Sequence, residues 1–399
     1  MKNILWSGRS HNFTNFELNF LKKIIKEANP ATQGKFLKLF EKSLENYLKV
    51  KNVFAVSSAA AALEIISILL NIKKGDEIII PAHTYCVSAI PFIRNGAKII
   101  WADIDFNTRV INFDDAKKKI TKKTIAIVCV HLYGYAVNIP KLKRKINNKK
   151  IKIIEDCAQA MGAEVQNKKV GTMGDFACFS FHGQKNISTL GEGGAIRVKN
   201  STLSKKVLGL RHNGHANFKK KRKHYWIPAM GNLDIDQPGF LPFKFTLTEV
   251  QCAAGYLLIR RLDKLNKIRI KRAKKFILAM DKFKELNFNK SFGNNRHVYH
   301  LLSAFFKPSK YFNRNNLIDI LYNKYKIQCV VQYYPLYKYS LFKKVMKKGK
   351  ICENTEKFYN NMISFPFHVY MNEKEFSYMI KKVKETIIFL RKKKNNIKF

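Results

Sequence analysis

Between Val53 and Val198, short runs rich in Ile and Val recur at Glu77 to Ile80, Lys98 to Trp101, Thr124 to Val130, Ile151 to Ile154, Phe176 to Phe181 and Ala195 to Val198, each bounded by Gly, Pro, Asn or Asp. They are apolar on consecutive rather than alternate residues, which suits strands buried on both faces. Amphipathic stretches fill the gaps between them. Strands alternating with helices in this way predict an α/β fold around a large, mainly parallel sheet. The clearest helix is Ala59 to Leu70, with Leu63, Ile66, Leu69 and Leu70 on one side and the small residues Ala59 to Ala62 at its start.

Beyond about Thr248 the pattern changes. A long helical stretch runs through Tyr256, Leu258 and Leu262 towards Met280, strand-like runs follow at Leu301 to Phe306 and Gln328 to Val331, and a helical end covers Glu373 to Leu390. We read residues 1–265 as an N-terminal arm and large domain, and 266–399 as a smaller C-terminal α+β domain. A chain of 399 residues suits two domains, at ~100 to 200 residues each. Asn213 to Phe243, rich in Gly, Pro, Lys and aromatics, reads as a long excursion from the sheet, and such loops usually serve function or an interface.

The 46% hydrophobic content excludes a disordered chain, even though 75 Lys+Arg against 28 Asp+Glu give a formal charge of +47. That charge raises nucleic acid or an anionic surface as a partner. The Lys excess, however, runs along the whole chain beside an excess of Asn and Ile, the pattern of a codon bias. The densest runs, Lys219 to Lys223 and Arg391 to Lys394, lack the interleaved aromatics and glycines of a base-stacking module. They read as solvated surface, and no specific nucleic-acid partner is expected. The seven Cys contain no CxxC pair and no zinc spacing. They read as buried thiols of a reducing compartment, with no metal site expected. MKNILWSGRS lacks the apolar region of a signal peptide, and the longest apolar window, Val53 to Leu70, carries Glu64 at its centre. A cytoplasmic protein with no membrane segment is therefore expected.

Chemistry-bearing residues gather where strands hand over to loops, which is where open α/β sheets bind ligands. The Ile151 to Ile154 strand ends in Glu155-Asp156-Cys157-Ala158-Gln159, placing two acids and an amide at the carboxyl edge. Asp156 could equally be a helix N-cap. The Phe176 to Phe181 strand runs into His182-Gly183-Gln184-Lys185-Asn186 and then Gly191-Glu192-Gly193-Gly194. A desolvated amine in such a place has the lowered basicity that Schiff-base chemistry requires. These glycines fit neither GxxxxGK[ST] nor the dinucleotide fingerprint. Ser57-Ser58 precede a helix that opens on tiny residues, where backbone N–H groups could meet a phosphate or where Ser could simply cap the helix. Tyr85, in Pro81-Ala82-His83-Thr84-Tyr85, could lie against a flat ring or in the core. A Lys nucleophile, a carboxylate, a phosphate seat and an aromatic platform on one sheet edge together match the needs of pyridoxal phosphate.

Those segments resemble the fold-type-I, pyridoxal-phosphate-dependent sugar aminotransferases of the DegT/DnrJ/EryC1/StrS family over essentially the whole chain. VSSAAAAL resembles its phosphate-helix motif, PAHTYCVSA its ring-stacking motif, EDCAQAMGA its pyridine-nitrogen motif and FSFHGQKNISTLGEGGA its Schiff-base motif. LPFKFTLTEVQCAAG, VVQYYPLYKYSLF and SFPFHVYMNEKEF resemble later segments, in the same order. The resemblance implies that Lys185 bonds the cofactor aldehyde, Asp156 partners the pyridine nitrogen and Gln159 lies near the ring hydroxyl. It implies further that Ser180, Ala60 and Ala61 hold the phosphate and Tyr85 stacks on the ring. Lys244-Phe245-Thr246 resembles a segment that reaches the cofactor phosphate of the neighbouring subunit, which implies a homodimer with shared sites. Two departures stand out: Ala59-Ala60 replace a usual Gly-Thr, and Thr246 stands where Asn is common. Losing one neutral hydrogen bond, about 0.5–1.5 kcal/mol, leaves cofactor binding possible.

The reaction so implied moves an amino group from an amino acid, glutamate by resemblance, to a keto-sugar carried on a nucleotide, with ping-pong kinetics, in amino-sugar, polysaccharide or lipopolysaccharide synthesis. Lys185 argues against the related dehydratases, which carry His at that position. The rival from another class is a regulatory or basic nucleic-acid-binding protein that keeps a cofactor site without turnover.

Overall fold

The computed structural model describes residues 3–8, 11–214, 224, 241–291, 293–345, 351–369 and 371–396. Lys219 to Lys223 and most of the Asn213 to Phe243 excursion lie outside them. In chain order the first nine strands are β1 (Val53–Val56), β2 (Glu77–Pro81), β3 (Lys98–Ala102), β4 (Thr124–Val130), β5 (Lys152–Asp156), β6 (Glu164–Val165), β7 (Lys168–Lys169), β8 (Phe176–Ser180) and β9 (Gly194–Val198). β6 and β7 form a small ribbon, and the other seven form one sheet in the order β1-β9-β8-β5-β4-β2-β3. Neighbours from β3 to β8 pair parallel, and only β9 runs against the rest. Ile78, Ile79, Ile80, Ile127 and Val128 are wholly buried, which is why these strands read as unbroken apolar runs. From β2 the chain moves outward to β3, then returns to β4 and continues the other way through β5 and β8. The carboxyl ends of β2 and β4 therefore flank the switch point at which such sheets bind ligands.

The helix Ala59–Leu69 is buried along nearly its whole length. Ser58 caps it, its side chain accepting the Ala61 N–H at 3.0 Å. The helix start rests on β9 at Gly194, where a Cβ would lie 2.3 Å from the Ser58 carbonyl carbon and 2.6 Å from the Ala59 nitrogen. Only a residue without a side chain allows that approach.

The expected second sheet has three antiparallel strands, β10 (Leu286–Phe288), β11 (Leu302–Phe306) and β12 (Met362–Phe365). Helices Arg314–Tyr325 and Glu373–Asn396 accompany it. The stretch expected as one helix is two, Glu249–Ile259 and Leu262–Ala279. The second gives Leu262 and Leu265 to the core of the large sheet, and Ala273 and Phe276 to that of the small one. Gln328 to Val331, expected as a strand, makes only isolated bonds, from the Gln328 N–H to Ile4 and between Val330 and Ser364. Its partners on the two sides are short segments, so no ladder extends. No described helix is long and apolar enough to cross a membrane.

Adjacent residues of a strand point to opposite faces, so the two acids of β5 part company. Glu155 does not face the ligand edge as expected. It is fully buried and accepts from the Met173 (2.7 Å), Gly174 (2.5 Å) and Gly171 (2.9 Å) amides and from His131 Nε2 (3.1 Å). His131 Nδ1 accepts the Val137 N–H at 2.9 Å, which leaves the proton on Nε2 for Glu155. Burial pushes the Glu155 carboxyl up, but the His131 bond and the loop amides outweigh it and hold the group below its ordinary value. Glu155→Gln keeps the shape yet turns an amide NH2 towards N–H donors. We expect it to cost about 3–5 kcal/mol in urea unfolding, as breaking a buried charged network does. Because the folded pKa is depressed, the stability from Glu155 is present above the ordinary carboxylate pKa and fades as pH falls through the folded value. The variant's deficit should accordingly shrink in acid, and a deficit independent of pH would contradict this account.

Candidate active site

Asp156, the last residue of β5, is 6% exposed and turns to the face opposite Glu155. Its Oδ2 accepts from Ser88 Oγ at 2.7 Å and its Oδ1 from the Ala158 N–H at 3.1 Å. The N-cap alternative therefore gives way to a strand-end carboxylate fixed by the turn after β2. Ser88 belongs to the quoted ring-stacking motif, three residues after Tyr85, and that motif is the signal by which it could have been found. Its hydroxyl also meets Thr84 Oγ1 at 3.2 Å, so Thr84 is the donor there.

Lys185 sits beyond β8 in a turn closed by its own N–H to the His182 carbonyl at 2.8 Å. Among the described residues, no hydrogen bond or ion pair involves its half-buried amine. Burial lowers the amine's pKa, and the negative charge of Asp156 draws it part of the way back. The structure thus brings Lys185 and Asp156 into one electrostatic neighbourhood, with the amine less basic than a surface lysine.

Gln159 joins the same pocket. Its Oε1 accepts the Tyr133 N–H at 2.8 Å and its Nε2 donates to the Tyr333 hydroxyl at 2.8 Å. Tyr333 comes from the VVQYYPLYKYSLF segment, and its ring stacks 6.3 Å from that of Tyr133. Tyr85, core in one reading of the sequence, is 56% exposed, with its ring 6.0 Å from Tyr333. Tyr133 and Tyr333 had no role in the sequence reading, because their place depends on long-range contacts: the Tyr133 hydroxyl binds His83 Nε2 at 2.7 Å and donates to the Gln332 carbonyl at 2.8 Å.

Ser180 pairs with Gly194 across β8 and β9. The same Gly194 backs onto Ser58 and Ala59, so Ser180 and the helix start that carries Ala60 and Ala61 flank one strand end. The first N–H groups of a helix have no partner within it and carry its positive end. Thr246 follows Phe245, whose carbonyl accepts the Ser57 N–H at 2.9 Å, so the backbone of this segment borders the helix start. Among the described residues, no side-chain hydrogen bond ties Thr246 to the other site residues.

These residues fit pyridoxal phosphate on their own chemistry: an unpartnered amine for the aldehyde, a buried carboxylate for the ring nitrogen and a helix start beside a serine for the phosphate. His131, Glu155 and Cys157 also bring potential metal-ligating atoms within 4.8 Å of one another. All three are already engaged, Glu155 by the loop amides, His131 by Glu155 and the Val137 N–H, and the Cys157 thiol by the Glu155 carbonyl at 3.8 Å.

The fold is a doubly wound sheet, and the candidate site gathers at the carboxyl edge of its strands. The profile of the DegT/DnrJ/EryC1/StrS aminotransferase family matches residues 13–384, and the chain belongs to that family. It is a pyridoxal-phosphate-dependent aminotransferase. GDP-perosamine synthase of Vibrio cholerae is 31% identical over 337 residues, 83% of this chain and 86% of the relative. UDP-4-amino-4,6-dideoxy-N-acetyl-beta-L-altrosamine transaminase of Campylobacter jejuni is 28% identical over 388 residues, 96% of each. Among solved structures, Helicobacter pylori PseC, an aminotransferase involved in the biosynthesis of pseudoaminic acid, superposes with a TM-score of 0.85 at 25% identity, covering 97% of this chain and all of that one.

Proposed function

We propose that this aminotransferase moves an amino group from an amino acid, glutamate first among candidates, to the keto group of a nucleotide-linked sugar destined for a polysaccharide. The observation that carries this reading is the unpartnered Lys185 amine beside Asp156. The sugar class is supported by the Vibrio and Campylobacter relatives, both named for nucleotide-linked sugars.

Bound pyridoxal phosphate supplies an electron sink that stabilises negative charge on the donor's α-carbon. Lys185 holds and releases the cofactor, and its amine, kept weakly basic by burial, carries the proton to and from the reacting carbon. Asp156, oriented by Ser88 and the Ala158 amide, holds a proton on the ring nitrogen. Gln159, braced by Tyr133 and Tyr333, orients the ring, and Ser180 with the start of the helix at Ala60 and Ala61 binds the phosphate, the Ala61 N–H itself being held by Ser58. A homodimer is part of this reading: Tyr85 and Leu190 stand exposed beside the site, where a second copy would shield them, and Thr246 would serve the partner's phosphate. The buried free thiols support a cytoplasmic location.

The test is the absorbance spectrum of the protein with pyridoxal phosphate, before and after glutamate. We expect a bound-cofactor band that glutamate converts to the pyridoxamine form and a nucleotide-linked keto-sugar restores. A band that no amino acid alters would overturn the transaminase reading.

A further inference from the structure

The bond between Gln159 and Tyr333 has a direction, and the group behind it sets that direction. A backbone N–H can only donate, so the Tyr133 amide takes the oxygen end of the Gln159 side chain at 2.8 Å and turns the NH2 towards the Tyr333 hydroxyl, also at 2.8 Å. The phenol oxygen is therefore the acceptor there, and its own proton points elsewhere. Among the described residues, no hydrogen bond takes that proton. Burial pushes the Tyr333 pKa well up, the Gln159 bond opposes the rise, and the Tyr85 phenol and the Asp156 charge add to it. At working pH the hydroxyl is thus a neutral donor with its proton unused, a state that partly buried polar groups seldom keep.

Tyr333 is also held in place. The Tyr133 hydroxyl donates to the Gln332 carbonyl at 2.8 Å, since a carbonyl can only accept, and so His83 Nε2, 2.7 Å from the same phenol oxygen, must be the donor between those two. Burial, then the Arg109 charge, lowers the His83 pKa to about 3, which keeps the imidazole neutral and this order of bonds fixed across the working range. The chain from His83 through Tyr133 to Gln332 anchors the backbone from which Tyr333 projects. Its ring stacks on that of Tyr133 at 6.3 Å and meets those of Tyr85 and His83 at 6.0 and 6.4 Å. A donor fixed this firmly suits a fixed acceptor.

The two groups beside the phenol narrow what that acceptor is. In pyridoxal phosphate a single ring carbon separates the nitrogen from the carbon that bears the hydroxyl. A side chain that bonds Gln159 and feels the charge of Asp156 belongs to that edge of the ring. We infer that Tyr333 donates its phenol proton in a hydrogen bond to the ring oxygen of pyridoxal phosphate, as a second donor beside Gln159. The inference rests on the transaminase reading above and adds a cofactor ligand to it.

Equilibrium binding of pyridoxal phosphate and of its 3-deoxy analogue, which lacks the ring hydroxyl, tests it. The wild type should prefer the full cofactor, and Tyr333→Phe should narrow that preference roughly ten- to hundredfold, the loss of a hydrogen bond to a charged acceptor, while binding the analogue as the wild type does. In the same variant the visible band of the bound cofactor should titrate at a higher pH, because a ring oxygen that has lost a donor holds a proton more tightly. A tyrosine that merely braced Gln159 would behave differently: Gln159→Ala alone would then erase the preference. A direct donor leaves part of it in Gln159→Ala, and this arm carries the test should Tyr333→Phe fail to fold. An unchanged preference in Tyr333→Phe overturns the proposal, even where the KM for a keto-sugar rises, since the proton then serves the substrate. So does a preference wholly lost in Gln159→Ala. A wild type that binds neither ligand would instead undo the transaminase reading, and the proposal with it.

Discussion

Lys185→Ala is expected to abolish the visible band of bound pyridoxal phosphate and to lower turnover by at least the ~10²–10⁴-fold of a lost general acid–base. The fold should survive, because no side-chain hydrogen bond or ion pair of Lys185 is lost among the described residues. The amine is held where burial lowers its pKa and Asp156 limits the drop. That balance leaves a free-base fraction for bonding an aldehyde while keeping a proton available for transfer. A surface lysine cannot substitute, since its pKa stays near ~10.4. The measurements are the spectrum, single-turnover decay with glutamate, and Tm as the control for folding. Wild-type turnover in the variant would remove Lys185 from the mechanism, and lost activity with a collapsed Tm would mark its role as structural.

What could be read in the sequence follows from what the fold asks of each segment. Strands β2, β3 and β4 lie within a residue of their expected bounds because, past a polar first residue, both faces are largely buried and the positions must be apolar. β1 and β12, of four residues each, were too short to separate from their surroundings. The break between Glu249–Ile259 and Leu262–Ala279 falls at Arg260 and Arg261, with no Gly or Pro to mark it. Lys185 and Asp156 were legible because their segments keep company with a Gly-rich loop, a Ser-led helix start and an aromatic at strand ends, in the order of the motifs they resemble. Tyr333 and Ser88 were not: they gain their meaning from contacts made across 174 and 68 positions.

Asp156→Asn should separate cofactor binding from catalysis. The replacement is isosteric, and an amide oxygen can still accept one of the two bonds now made by Ser88 and the Ala158 N–H. The Ser88 hydroxyl can turn to accept from the new NH2. The protein should therefore fold and retain the cofactor band. What it loses is the negative charge, with two consequences. The ring nitrogen no longer has an anion to hold its proton, so the electron sink weakens, and we expect turnover to fall by about 10²–10⁴-fold. Lys185 also loses the charge that raises its pKa against burial. In the protein without cofactor, the amine should then titrate at a lower pH than in the wild type, because removing a neighbouring anion disfavours the protonated form. The pH dependence of cofactor uptake should move towards acid in step. Unchanged turnover would exclude Asp156 as the partner of the ring nitrogen. A fall in turnover with an unmoved uptake profile would confine its action to the ring and remove the coupling to Lys185.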